Sequence, residues 1–146
     1  MNQIHRVGPE TAASASAALT AAAATATATQ GGRAVPQPTT RRFASVIRLR
    51  PEKEAEYRAL HAAAWPGVLA ALKRAHIANY SIFLRAGVLF SYLEYTGDDY
   101  EADMASIAAD PVTREWWERT DPCQLPVEDA AEGEGWAPAE EVFHLD

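Results

Sequence analysis

Hydrophobic and polar positions alternate over residues 43–50. Phe43, Ser45, Ile47 and Leu49 fall on one side, with Ala44, Val46, Arg48 and Arg50 on the other. This period-2 pattern predicts a strand with one apolar face. Pro51 stops that strand and suits the first turn of a helix, where Glu52 and Glu54 meet the positive end of the dipole. The period then changes. Tyr57, His61 and Trp65 recur every four residues, a step that drifts by about 40° on a helix and so makes one connected stripe. Pro66 marks where this helix ends or bends. A second helical run, Val68 to His76, presents Val68, Leu69 and Leu72, with Lys73, Arg74 and His76 near its negative end.

Tyr80, Ile82 and Leu84 give Asn79 to Leu84 the alternation of a second strand. Arg85-Ala86-Gly87 then reads as a tight turn into a third, antiparallel strand over Val88 to Tyr95. Asp98 and Asp99 open a helix through Ala109 that carries Tyr100, Met104 and Ile107 inward. Asp110-Pro111-Val112-Thr113 restarts a shorter helix bearing the adjacent Trp116 and Trp117. From Asp121 to Ala139 the chain is rich in Pro, Gly and acids and reads as an extended arm. Glu141 to Leu145 is apolar enough for a closing strand. The order β-α-β-β-α-β predicts an α+β protein of the ferredoxin-like split βαβ type, with helices on one face of an antiparallel sheet. The other face is left open. Ser45, Ser81 and Ser91 are expected there, as a mixed surface that packs on a second subunit or lines a ligand cavity.

Composition narrows the picture. Residues 1–41 read as a tail, since Ala12 to Thr29 is almost all Ala, Thr and Ser and buries too little apolar area to offset chain ordering. A secretory signal is the alternative for this run, but it lacks a Leu-rich centre and Glu10 stands at its start. The domain proper is expected over residues 42–146. The net charge of −7 is uneven: residues 1–42 carry four Arg against Glu10, leaving 9 basic and 19 acidic residues beyond them. An acidic domain repels phosphate backbones, which argues against a nucleic-acid partner. No stretch has the length and apolarity to span a bilayer. The single cysteine, Cys123, rules out an intrachain disulfide and fits a reducing, cytoplasmic setting.

Familiar catalytic signatures are absent: there is no GxGxxG, phosphate loop, GxSxG, HExxH or CxxC, and the four histidines are scattered. Cys123 reads as a small buried thiol, because no base accompanies it. Two features remain. The Tyr57–His61–Trp65 stripe combines a hydroxyl, an imidazole and an indole, and packing alone is the commoner origin of such a stripe. Trp116 and Trp117 point about 100° apart on a helix, so one is expected in the core and the other at a cavity or subunit interface. Indole faces suit the C–H-rich faces of sugars, and the indole N–H can donate to a hydroxyl.

Taken together, Tyr57-(x3)-His61-(x3)-Trp65-Pro66, Asn79-Tyr80, Trp116-Trp117 and Glu141-Val142-Phe143 resemble the L-rhamnose mutarotase family, in one unbroken order from about Arg42 to Leu145. The resemblance implies an isomerase that interconverts the α and β anomers of a 6-deoxy sugar, L-rhamnose or L-fucose. It also implies a dimer of small α/β subunits (a dimeric α/β barrel) and no metal or organic cofactor. By that resemblance His61 is the proton donor, and Tyr57, Tyr80, Trp116 and Trp117 bind the sugar. Enterobacterial members tend to read His-Asn-Pro-x-Trp-Pro-Glu, whereas this chain has Ala62 for the Asn and Gly67 for the Glu. These departures leave His61 and the tyrosines in place and bear on which sugar fits. Two other classes compete: a cofactor-independent monooxygenase-like dimer acting on apolar aromatic substrates, and a binding module without turnover.

Overall fold

A computed structural model describes residues 39–146; the expected tail lies outside the described residues except at its last positions. Strand β1 (Arg41–Leu49) leads through a 3-10 turn at Pro51–Lys53 into α1 (Glu54–Ala62) and α2 (Pro66–Arg74). A hairpin, β2 (Ile77–Arg85) and β3 (Val88–Tyr95), follows. Then come α3 (Tyr100–Ala109), α4 (Pro111–Thr120) and two short strands, β4 (Gln124–Leu125) and β5 (Ala137–Ala139). The sheet runs β2-β3-β1-β4 and is antiparallel throughout, with β5 also pairing β1. This is the ferredoxin-like order, with both helical crossovers split in two.

The splits follow from sequence. Trp65 is extended (φ −67°, ψ 133°), as a residue before proline prefers, and Pro66 then starts α2. Trp65 therefore stands at the head of α2, not on the helix that carries Tyr57 and His61. The second split is at Asp110, whose carboxylate accepts from the Thr113 backbone N–H and hydroxyl at 2.8 Å each while Pro111 takes the first helical position. Asp99 caps α3 likewise, accepting from Ala102 N–H.

Two apolar clusters hold the helices on the sheet. One joins Ile77, Leu93 and Tyr95 to Tyr100, Met104 and Ile107. The other joins Ile47, Leu49 and Leu89 to Tyr57, Cys123 and Trp136. Between them, β1 and β3 bring Ser45 directly opposite Ser91, and the two buried hydroxyls hydrogen-bond each other at 2.6 Å. Ser45 and Ser91 thus lie on the covered side, and only Ser81 is exposed. The parity of β1 decides this, since Ser45 shares its face with Ile47 and Leu49. The open side instead carries a cross-strand apolar row, Val46–Phe90–Phe83, with Phe90 43% and Phe83 62% exposed.

The end of the chain differs from expectation. The closing strand is Ala137–Ala139, not Glu141 to Leu145. Beyond Ala139 an ion pair replaces the ladder: the Arg42 guanidinium donates to both Glu141 carboxylate oxygens at 2.6 and 3.0 Å. Val142, Phe143 and Leu145 stay exposed. Among the described residues no helix is long and apolar enough to cross a membrane, and Cys123 is a buried free thiol.

Candidate functional site

Between the helices and the sheet lies a cavity of about 540 Å³, within the range typical of small-molecule sites. Helix α1 supplies Tyr57 and His61 one turn apart, β2 supplies Tyr80, and α4 supplies Trp116 and Trp117. All five residues singled out from the sequence line it. Tyr80 reaches the cavity through a β-bulge. Ala78 pairs with Glu94 and Ser81 with Tyr92, so Asn79 and Tyr80 together oppose Leu93, with Asn79 at φ +47°. Such an extra residue re-aims the neighbouring side chain. The Asn79 amide donates to Glu94 Oε2 at 2.7 Å and pins the bulge.

His61 is the hinge of an aromatic cluster. Its ring stacks on Tyr57 (centroids 4.1 Å apart, 29° between planes) and meets the Trp116 ring nearly edge-on at 5.2 Å. Trp65 packs edge-on against Trp116 at 5.4 Å, so it rejoins the stripe in space. Trp116 and Trp117 do not divide cleanly between core and cavity. Trp116 is buried and Trp117 half-buried against the first apolar cluster, yet both border the cavity. The Nδ1 of His61 lies 2.9 Å from the Tyr57 carbonyl oxygen. A carbonyl can only accept, so Nδ1 carries the hydrogen and the lone pair of neutral His61 is on Nε2.

Burial sets the electrostatics. It lowers the His61 pKa from 6.5 more than the Tyr57 carbonyl restores it, which favours the neutral ring. Burial pushes the Tyr80 phenol up to about 12 and raises Tyr57 as well, against the opposing hydrogen bond from Gln124. Both phenols therefore keep their protons near neutrality.

A smaller hollow of about 60 Å³ shares Tyr57, His61, Tyr80, Trp116 and Trp117 with the main cavity and adds Asp121, Gln124 and Trp136. Sequence reasoning missed these three because all lie in the stretch read as an extended arm. The available signal was Trp136 itself: a large aromatic alone in a Pro-, Gly- and acid-rich segment needs somewhere to pack. It is 5% exposed and draws the arm across the site. Asp121 follows the last turn of α4, its backbone N–H bonded to the Trp117 carbonyl, and burial raises its carboxyl pKa from 3.8 to about 6.

Gly67 has a packing reason. A Cβ there would meet Val112 Cγ1 at 2.8 Å, so Val112 occupies the space a larger side chain would need. Ala62 lines the cavity with no polar group to offer. Among the described residues no three His, Cys, Asp or Glu side chains come together as a metal site.

Fold and cavity define a class: a ferredoxin-like α+β protein with a neutral histidine and two protonated tyrosines set in an indole-rich, small-ligand pocket. The model of the L-rhamnose mutarotase family matches residues 42–145, and the chain belongs to that family. Similar proteins include the L-rhamnose mutarotase of Rhizobium meliloti, 37% identical over 71% of this chain and 97% of the relative. That of Lactiplantibacillus plantarum is 36% identical over 72% and 98%. Among solved structures, the L-rhamnose mutarotase FA22100 of Formosa agariphila superposes with a TM-score of 0.56 at 24% identity, covering 73% of this chain and 99% of its own. Tetracenomycin F2 cyclase of Streptomyces glaucescens does so with 0.53 at 16%, covering 73% and 97%. These two likenesses concern the fold alone.

Proposed function

We propose that this chain is a mutarotase that interconverts the α and β anomers of L-rhamnose, with L-fucose as the alternative 6-deoxy substrate. The observation that carries the reading is His61, its Nδ1 held by the Tyr57 carbonyl in the wall of a cavity rich in aromatics. Opening a pyranose moves one proton off the anomeric hydroxyl and another onto the ring oxygen, and closure on the other carbonyl face reverses both. Neutral Nε2 takes the anomeric proton as the ring opens and returns it on closing. Tyr57 and Tyr80 donate hydrogen bonds to sugar hydroxyls, and the indoles of Trp116 and Trp117 cover its C–H face. Positioning plus acid–base transfer is enough for a reaction that already proceeds slowly in water.

The same reading makes the protein a homodimer. The Val46–Phe90–Phe83 row is apolar and lies on the face away from its own helices, with Phe83 and Phe90 exposed, and Val142, Phe143 and Leu145 beyond β5 are exposed as well. A symmetric partner would cover this surface. Tyr57 stacked on His61 counts against the monooxygenase-like alternative, for which an apolar pocket without tyrosines near the histidine is expected.

The test is saturation-difference NMR on free L-rhamnose and L-fucose. Magnetisation transfer between α and β anomeric signals should exceed the spontaneous rate in proportion to protein. A folded protein that accelerates neither sugar refutes the proposal.

A further inference from the structure

Anomer exchange needs two proton carriers, one at the anomeric oxygen and one at the ring oxygen, and His61 accounts for only one. Among the titratable side chains that share the smaller hollow with His61, Tyr57 and Tyr80 hold their protons too tightly to exchange them near neutrality. The remaining one is Asp121. We propose that Asp121 is the second acid–base group of the site, working on the sugar oxygen opposite the one served by His61. This inference rests on the mutarotase reading of the adjoining cavity, with which the hollow shares His61 and both tyrosines.

The surroundings of Asp121 support the role. From α1 the hollow is faced by Tyr57 and His61, from β2 by Tyr80, from α4 by Trp116, Trp117 and Thr120, and from the arm by Gln124 and Trp136. Among the described residues no Lys or Arg lines it. Among the described residues no side chain or backbone N–H donates to the Asp121 carboxyl, whereas Asp99, Asp103 and Asp110 elsewhere in the fold all have such donors. The carboxyl also stands at the C-terminal end of α4, where the helix dipole disfavours negative charge. Partial burial without a donor or a cation holds its pKa near 6. A carboxyl so placed can exist in either protonation state close to neutral pH, as a proton carrier must.

The step balances. Starting with neutral His61 and protonated Asp121, Nε2 takes the proton of the anomeric hydroxyl as the carboxylic acid gives its own to the ring oxygen. The bond between the anomeric carbon and the ring oxygen breaks and the aldehyde C=O forms. After rotation about the adjacent C–C bond, Asp121 takes back the proton of the chain hydroxyl while imidazolium returns one to the carbonyl oxygen. Both groups end as they began.

Asp121→Asn keeps the volume and removes the exchangeable proton. Its maximal exchange rate should fall by about 10²-fold or more, with the sugar's saturation-transfer binding signal retained. Asp121→Glu should recover part of the rate. The wild-type rate should show a limb near pH 6 that is missing in Asp121→Asn. A folded Asp121→Asn exchanging at the wild-type rate overturns the inference while leaving the mutarotase reading intact. So does a wild-type rate that is flat between pH 5 and 8, which needs no variant to fold. A wild-type protein that accelerates no sugar overturns both.

Discussion

Replacing His61 by Asn separates catalysis from packing, and the two costs can be worked out beforehand. If His61 carries the proton, loss of a positioned acid–base group lowers the exchange rate by about 10²–10⁴-fold. That corresponds to about 3–5 kcal/mol on the barrier. The structural cost is smaller. The ring contacts at stake are the stack on Tyr57 and the edge contact with Trp116, each worth about 0.5–1.5 kcal/mol. The Asn amide can still donate to the Tyr57 carbonyl. Stability should therefore fall by about 1–3 kcal/mol, which leaves a folded protein whose rate per molecule can be read. The pH dependence of stability should change as well. The unfolded chain protonates His61 near 6.5 before the folded one does, so its burial costs stability as pH falls below that value. The Asn variant lacks this term and should lose less stability between pH 7 and 5 than the wild type. Anomer exchange by saturation-difference NMR and denaturant unfolding measure the two effects on one sample. A folded His61→Asn variant exchanging anomers at the wild-type rate would defeat the assignment. Tyr57→Phe is the control: it should weaken sugar binding with a smaller effect on rate, and the reverse outcome would exchange the roles of the two residues.

Three further outcomes are expected. Gly97→Ala should lower stability by about 1–3 kcal/mol at unchanged activity per folded molecule. Its Cβ would come within 2.5 Å of the Tyr95 hydroxyl and 2.8 Å of Asp103 Oδ2, forcing apart a 2.7 Å hydrogen bond remote from the cavity; an unchanged melting temperature would contradict this. Asp121→Asn should stabilise the protein at pH 7 and not at pH 4. The folded form holds a proton up to about pH 6 that the unfolded chain releases near 3.8, so wild-type stability declines as pH rises through that window. The gap is worth at most about 3 kcal/mol, and equal stability of the two proteins at pH 7 and above would count against it. Sedimentation equilibrium at micromolar concentration should give twice the chain mass, and Phe83→Lys with Phe90→Lys should halve it; a monomeric wild type would remove the dimer.

What the sequence disclosed and concealed has a physical pattern. Local periodicity located β1, the hairpin and the four helices of the described residues, because each buries one face and so repeats at 2 or 3.6 residues. It also brought forward Tyr57, His61, Tyr80, Trp116 and Trp117, which the fold gathers on one cavity. The errors lie where tertiary contact overrides local pattern. Trp65 kept the four-residue spacing but belongs to the next helix, since Pro66 forces it to be extended. Glu141 to Leu145 has strand-like composition, yet a side-chain ion pair with Arg42 takes the place of the ladder. Asp121, Gln124 and Trp136 carried no periodic signal at all, because an irregular arm is placed by the anchoring of one indole and by two short pairings with β1.

The buried hydroxyl pair between the two clusters has an evolutionary corollary. Ser45 and Ser91 satisfy each other and nothing else polar, so either one changed to alanine alone leaves its partner an orphan, at about 1–3 kcal/mol. Changing both restores balance. The two positions therefore form a fitness valley one substitution wide, crossable by a double step or through a small polar intermediate such as Thr. Descendants of this chain should inherit the two positions as a linked character, drifting together.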